Sequence, residues 1–218
     1  MVLRLNDTKS LFYSYNSFHF DSLMTSGNSD AMLSDILVNG TAKYGKMINK
    51  YYVLKDFTAG QIDYTDDVGG EKYRYQEALP KLDWQITDER KSIADYDCQK
   101  AECTFRGRTY VAWFASDIPA SDGPWKFHGL PGLIFEVYDV QRHYVFEIVG
   151  ISESSADIAL LPGEYTKTSR EAYLKAYKNY VKDPLAFIKA SSGMEVRTID
   201  NSTVKTKKVV RFDPMERE

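Results

Sequence analysis

The stretch that most constrains this chain is Ser121-Asp122-Gly123-Pro124-Trp125-Lys126-Phe127-His128-Gly129-Leu130-Pro131-Gly132-Leu133-Ile134, set between two segments that alternate apolar and polar residues. Gly123-Pro124 and Leu130-Pro131-Gly132 are turn signals, because proline fixes φ near −65° and glycine supplies the positive φ that a type II turn wants. Any fold must therefore turn twice here within about eight residues and still join two strands. Between the turns, Trp125 and Phe127 alternate with Lys126 and His128, which predicts a short extended segment showing both rings to one side. Such a loop has two uses. It folds back over the end of the core with its rings as a cap, or its rings and His128 line a surface for a ligand or partner.

The flanking segments, Arg108 to Ala115 and Leu133 to Tyr138, are predicted to be antiparallel neighbours joined by residues 116–132. Upstream of Arg108, Tyr96 to Phe105 reads as a strand, with Arg106-Gly107 as a tight hairpin turn. Downstream, Tyr144 to Ile151 returns across a turn at Gln141-Arg142-His143. Earlier in the chain, Leu11 to Tyr15, Tyr51 to Phe57, Gln61 to Tyr64 and Glu71 to Tyr75 are short strands with Gly60 and Gly69-Gly70 as punctuation, the spacing of a meander. Lys91 to Ala94 opens the group that continues through Tyr96.

Helical spacing occurs twice. Phe20 to Leu37 carries Leu23, Met24, Met32, Leu33, Ile36 and Leu37 as a helix broken near Gly27-Asn28. Thr168-Ser169-Arg170-Glu171 reads as a capping box for a helix with Tyr173, Ala176, Tyr177 and Tyr180 on one face, interrupted at Asp183-Pro184. Sixteen Tyr, eleven Phe and three Trp make 14% of the chain, and such rings favour pleated surfaces. These signals together predict a mainly β (α+β) fold over residues 1–218 as a single domain. The expected architecture is one curved antiparallel sheet, an open or half barrel, with a helix near each end of the chain.

With 28 basic and 31 acidic residues the chain lacks the electrostatic footprint of a nucleic-acid binder. No window approaches 18 apolar residues, so no transmembrane helix is expected. The basic run Val204 to Arg211 alternates like an edge strand guarded by lysines. Cys98 and Cys103, five apart in one strand, point to opposite faces with Cα atoms about 16 Å apart, too far for a disulfide in a continuous strand. Two cysteines and the isolated His19, His128 and His143 make no metal set, and no cofactor motif is present.

The run Gly129 to Ile134 spells the signature of the GLPGLI family of Bacteroidetes proteins, and the chain resembles that family over most of its length. The matching text is Trp84-Gln85-Ile86-Thr87-Asp88-Glu89, Tyr96, Cys98-Gln99-Lys100-Ala101, Phe105, Gly107-Arg108, Ala112-Trp113-Phe114, Asp117-Ile118-Pro119, Gly123-Pro124 and Phe212-Asp213-Pro214-Met215-Glu216. The resemblance implies a periplasmic or secreted location and an uncharacterised function, with no catalytic residues to carry over. Residues Leu3 to Asp21 resemble a part of the pattern that follows an earlier strand or two. Since Met1 to Asp7 does not read as a signal peptide, a late start of the chain is expected, or a cytoplasmic product if Met1 is native.

Two function classes follow. The first is a non-catalytic envelope module that binds an apolar ligand, peptide or envelope protein, with Trp125, Phe127, His128, Trp113, Arg108 and Asp117 as candidate binding residues. The second is a hydrolase built around His128 with Asp117 or Asp122 and a distant serine. Arg108 and Asp117 flank the Trp113 strand and are candidates to pair with each other or to order the loop. Trp125 is expected at the rim and Phe127 beneath the loop.

Overall fold

A computed structural model describes residues 1–25, 49–192 and 215–216. The sequence-predicted break at Gly27-Asn28, residues 26–37 of the first helix and the strand over 204–211 lie outside the described residues. Among the described residues, eleven strands form two sheets. The first has the order β1 (Val2–Leu5), β2 (Lys9–Tyr13), β3 (Tyr52–Asp56), β4 (Gln61–Val68), β5 (Glu71–Ala78) and, at its edge, β11 (Thr166–Lys167). All its pairs are antiparallel except β11 on β5. The second is an antiparallel sheet of β10 (Val145–Glu147), β9 (Leu133–Asp139), β8 (Arg108–Ala115), β7 (Tyr96–Phe105) and β6 (Gln85–Ile93). Helix α1 spans Tyr15–Thr25, α2 spans Arg170–Lys182 and α3 spans Pro184–Ser192.

The mainly β character holds, but the single curved sheet and the barrel do not. The meander stops at Ala78, and residues 79–84 carry the chain out of the first sheet and into the second. Pro80 in this connection has no N–H to continue a ladder. Two sheets bury their apolar faces against each other where one curved sheet would have to close on itself. Phe12, Val53, Ile62, Tyr64 and Tyr75 of the first sheet share one core with Ala101, Cys103, Tyr110, Ala112, Phe114 and Val137 of the second. Alternation cannot report this, because it gives each strand an inner face without saying which sheet that strand joins.

Strand pairing within the second sheet follows the sequence closely. β7 and β8 pair from Cys98↔Ala115 to Phe105↔Arg108, and φ values of 45° at Arg106 and 75° at Gly107 give the two-residue turn the right-handed twist of its strands. β8 and β9 are antiparallel neighbours joined by residues 116–132, as predicted. Cys98 and Cys103 are both free and buried, on opposite faces of β7. At the start of α2 the cap is shifted by one residue from the capping box read in the sequence. Ser169, not Thr168, is the N-cap, and its hydroxyl accepts from the Ala172 amide. Asp183 ends α2 and Pro184 opens α3.

The loop between β8 and β9 is part of the core. Trp125, Phe127 and Leu130 are at most 2% exposed and join the cluster shared by the two sheets. Phe127 stands edge-on to Tyr110 at 4.7 Å and to Trp125 at 5.3 Å, and Trp125 meets Phe105 at 6.0 Å. The segment is not extended as expected: a turn closes from the Phe127 amide to the Pro124 carbonyl at 3.1 Å, with Trp125 at φ 53°. Trp125 at the rim is therefore corrected to Trp125 in the interior. Two glycines of the Gly129 to Ile134 run have physical reasons. Gly129 has φ 93°, and a Cβ on Gly132 would lie 2.2 Å from the Ala115 carbonyl oxygen, so no side chain fits where the loop rejoins the sheet.

Candidate functional site

The loop is fixed from below by a buried lysine. Lys55 on β3 ion-pairs with Asp122 and donates to the carbonyls of Gly123 at 2.7 Å and Phe127 at 3.1 Å. Burial lowers the Lys55 pKa, and Asp122 offsets part of that cost. A second buried cation, Lys126, holds the turn from within. Its ammonium meets Glu77 at 2.6 Å, pairs with Glu216 and donates to the Tyr75 hydroxyl at 3.0 Å. Glu216 also takes Arg106 at 2.6 Å and Arg170 of α2. Burial pushes its carboxyl up, but Lys126, Arg106 and Arg170 outweigh burial and hold it below its ordinary value. Met215 next to it accepts from the Tyr110 hydroxyl at 2.6 Å, so residues 215–216 are built into the core.

Beside this network lies a cleft of about 720 Å³, within the range of small-molecule sites. Its walls come from four places. β4 and β5 give Tyr64 and Tyr75, cross-strand partners whose rings stack at 4.8 Å. α2 lays Tyr173, Tyr177 and Tyr180 over them, the helix face read from the sequence. Tyr51, stacked on Tyr64 at 6.0 Å, closes one side, and Tyr144 and Phe146 from the end of the second sheet close another. Trp125 and Glu216 form part of the remaining lining.

Asp66 is the distinctive member. Ile62, Tyr64, Asp66 and Val68 share one face of β4, so a carboxyl occupies a row that should be apolar. It is 8% exposed and accepts from the Tyr173 hydroxyl at 2.6 Å and the Asp67 amide at 2.9 Å. Burial raises its pKa to about 7, with those two hydrogen bonds offsetting only part of the rise. A folded-state pKa above the ordinary value of about 3.9 means that the folded protein holds this proton more tightly. The associated stability is complete below the unfolded pKa of about 3.9 and is lost progressively as the pH climbs to and through 7. Between pH 5 and pH 8 the wild type should lose about 2–3 kcal/mol relative to Asp66→Asn. Denaturant unfolding of both proteins at the two pH values checks this.

The sequence-predicted residues are scattered. Trp125 reaches the cleft wall, and Phe127 lies behind it in the core. Trp113 is on the outer face of the second sheet under the Lys91 ammonium at 4.4 Å. Asp117 is exposed, and Arg108 pairs with Asp139 at 3.1 Å, both side chains fully buried. An Arg108–Asp117 pair is therefore corrected: the two lie at opposite ends of β8, about 25–30 Å apart along an extended strand. His128 Nε2 sits 2.9 Å from the Pro80 carbonyl, and burial, then Lys55, lower its pKa. Asp66 and the α2 tyrosines were absent from the sequence-based candidates. An acidic residue in phase with Ile62, Tyr64 and Val68 was the signal that could have found the first. Among the described residues no group of His, Cys, Asp and Glu could hold a metal ion, and no helix there is long and apolar enough to cross a membrane.

A protein-family model described as a protein of unknown function (Porph_ging) matches residues 105–136, the β8–loop–β9 unit with the preceding turn. No curated protein matches the chain. Among solved structures, the chain is similar to one described as PNGF-II in a P21 space group, at 14% identity and a TM-score of 0.50, over 78% of this chain. A second PNGF-II structure, in a C2 space group, is 14% identical over 82% of this chain with a TM-score of 0.48. The chain spans 28% of the length of the PNGF-II chain in both comparisons. At that identity the likeness is one of fold, and what the chain shares by sequence is the unknown-function segment at 105–136.

Proposed function

We propose that this chain is a non-catalytic binding module of the GLPGLI type, and that it takes its ligand in the tyrosine cleft. The observation that carries the reading is the combination of a 720 Å³ cleft, walls rich in aromatic rings, and the buried Asp66 carboxyl placed against them. Concave sites that combine aromatic walls with placed polar groups are where small ligands and short peptide side chains bind. In this reading the 116–134 loop supports the site and lends it Trp125, while Phe127 and His128 serve the core. An envelope location belongs to the same proposal and rests on the GLPGLI resemblance, which the match over residues 105–136 accompanies.

The hydrolase alternative has less behind it. A general base needs its ring nitrogen within reach of the proton it takes, and His128 Nε2 is committed to a backbone carbonyl. Cys103 offers no nucleophile either, since burial raises its thiol pKa to about 12.

A fragment screen by saturation-transfer NMR, run on wild type and on folded Tyr177→Ala, tests the cleft reading. Fragments containing planar or apolar groups should give transfer signals that disappear in the variant. An empty screen, or hits that Tyr177→Ala leaves unchanged, would rule the cleft out as the binding site.

A further inference from the structure

We propose that the cleft binds an alkylammonium cation, with Asp66 as its counter-charge and the rings of Tyr51, Tyr64, Tyr173 and Tyr177 as its walls. This deepens, and rests on, the reading of the cleft as a ligand site. Its basis is a buried carboxyl that has no ion-pair partner among the described residues, with Lys50 acting on it only from a distance. Lys50, the lysine in the lining, places its ammonium on Asp67 at 3.1 Å. Lys126, Arg106 and Arg170 converge on Glu216, and Lys126 and Arg106 also meet Glu77, with the Lys126 ammonium 5.2 Å from the Tyr64 ring. His143 leans on Asp139 at 3.7 Å. Asp66 alone among the acidic residues of the lining has no ion-pair partner among the described residues. A buried carboxylate without a cation is costly, and its two hydrogen bonds leave acceptor capacity on both oxygens.

The surroundings suit a cation in a second way. Aromatic faces carry negative potential and attract ammonium groups within about 6 Å, most strongly where water is excluded. Tyr64 is stacked against both Tyr51 and Tyr75, and Tyr173 lies 5.4 Å from Tyr64 and 6.1 Å from Tyr177, so the rings form a contiguous wall around the carboxyl. Burial raises the Tyr177 hydroxyl pKa, and Asp66 raises it further, so this ring stays neutral. An anionic ligand would meet Asp66 as a like charge, and a neutral one would leave it unpaired. A quaternary or primary ammonium satisfies both features.

Two sources carry this chemistry, a choline-type head group and an Nε-methylated lysine side chain. Calorimetric titration at pH 8, with choline, N-acetyl-Nε-trimethyllysine amide and the neutral choline isostere 3,3-dimethylbutan-1-ol, distinguishes them. Wild type should prefer the tighter cation over the isostere by about tenfold. Asp66→Asn, shown folded by circular dichroism, should keep only the smaller share of that preference that the rings supply. The tighter of the two cations identifies the source. Equal binding of cation and isostere by wild type, an unchanged preference in Asp66→Asn, or no heat from either cation would overturn the inference. If fragments still bind in a Tyr177-dependent way when the cations fail, the cleft reading survives and only the cation is wrong.

Discussion

Asp122→Ala should lower the unfolding free energy by about 3–5 kcal/mol, because it strands the Lys55 ammonium in the core. The Lys55 side chain is 0% exposed and that of Asp122 is 4% exposed, so water cannot replace the lost partner. The carbonyls of Gly123 and Phe127 remain as acceptors, but they carry no charge. Removing both charges in Lys55→Met with Asp122→Ala should cost less than the sum of the single variants, since neither charge is then orphaned. Denaturant unfolding of the three variants measures the coupling. A loss below about 1 kcal/mol for Asp122→Ala would mean that Lys55 finds another anion and that the loop is not held this way.

Trp125→Ala and Phe127→Ala should each cost about 3–5 kcal/mol, in the range for buried ring truncations. Trp125 is 2% exposed and Phe127 is 0% exposed, and each touches the other as well as a ring of the second sheet. Both variants leave a hole between the two sheets that cannot close without moving Lys126, which is tied to Glu77 and Glu216. Thermal and denaturant unfolding should show similar losses for the two. A Trp125→Ala protein as stable as wild type would restore Trp125 to a surface role.

Local chemistry was legible in the sequence and long-range partnership was not. Tyr96–Phe105 and Arg108–Ala115 stand where their alternation put them, and the turn between them follows from Arg106-Gly107. The β8–β9 pairing across a 17-residue connection was also readable, since both flanks alternate and the loop turns twice. The split into two sheets was hidden, because consecutive strands look alike whether or not they share a sheet. Lys126 was legible only as a residue alternating with two rings. Its acid partners are Glu77, nearly fifty residues upstream, and Glu216, near the end of the chain, and no spacing rule connects them. Trp113 and Arg108 were candidate binding residues, yet the Lys91 ammonium packs on the first and Asp139 pairs with the second. The cleft itself combines one face of a helix with two strands a hundred residues earlier, a juxtaposition only the folded chain displays.

The central claim is that ligands enter the tyrosine cleft and that the 116–134 loop is scaffold. The most direct measurement is a chemical-shift map on protein carrying ¹³C-labelled tyrosine rings and ¹⁵N-labelled backbone, titrated with choline and with the strongest fragment from the screen. The account predicts ring shifts confined to Tyr51, Tyr64, Tyr173 and Tyr177, with the amides of Asp66 and Asp67 moving alongside them. Shifts centred instead on residues 116–122 or 128–131, with the cleft tyrosines silent, would contradict it.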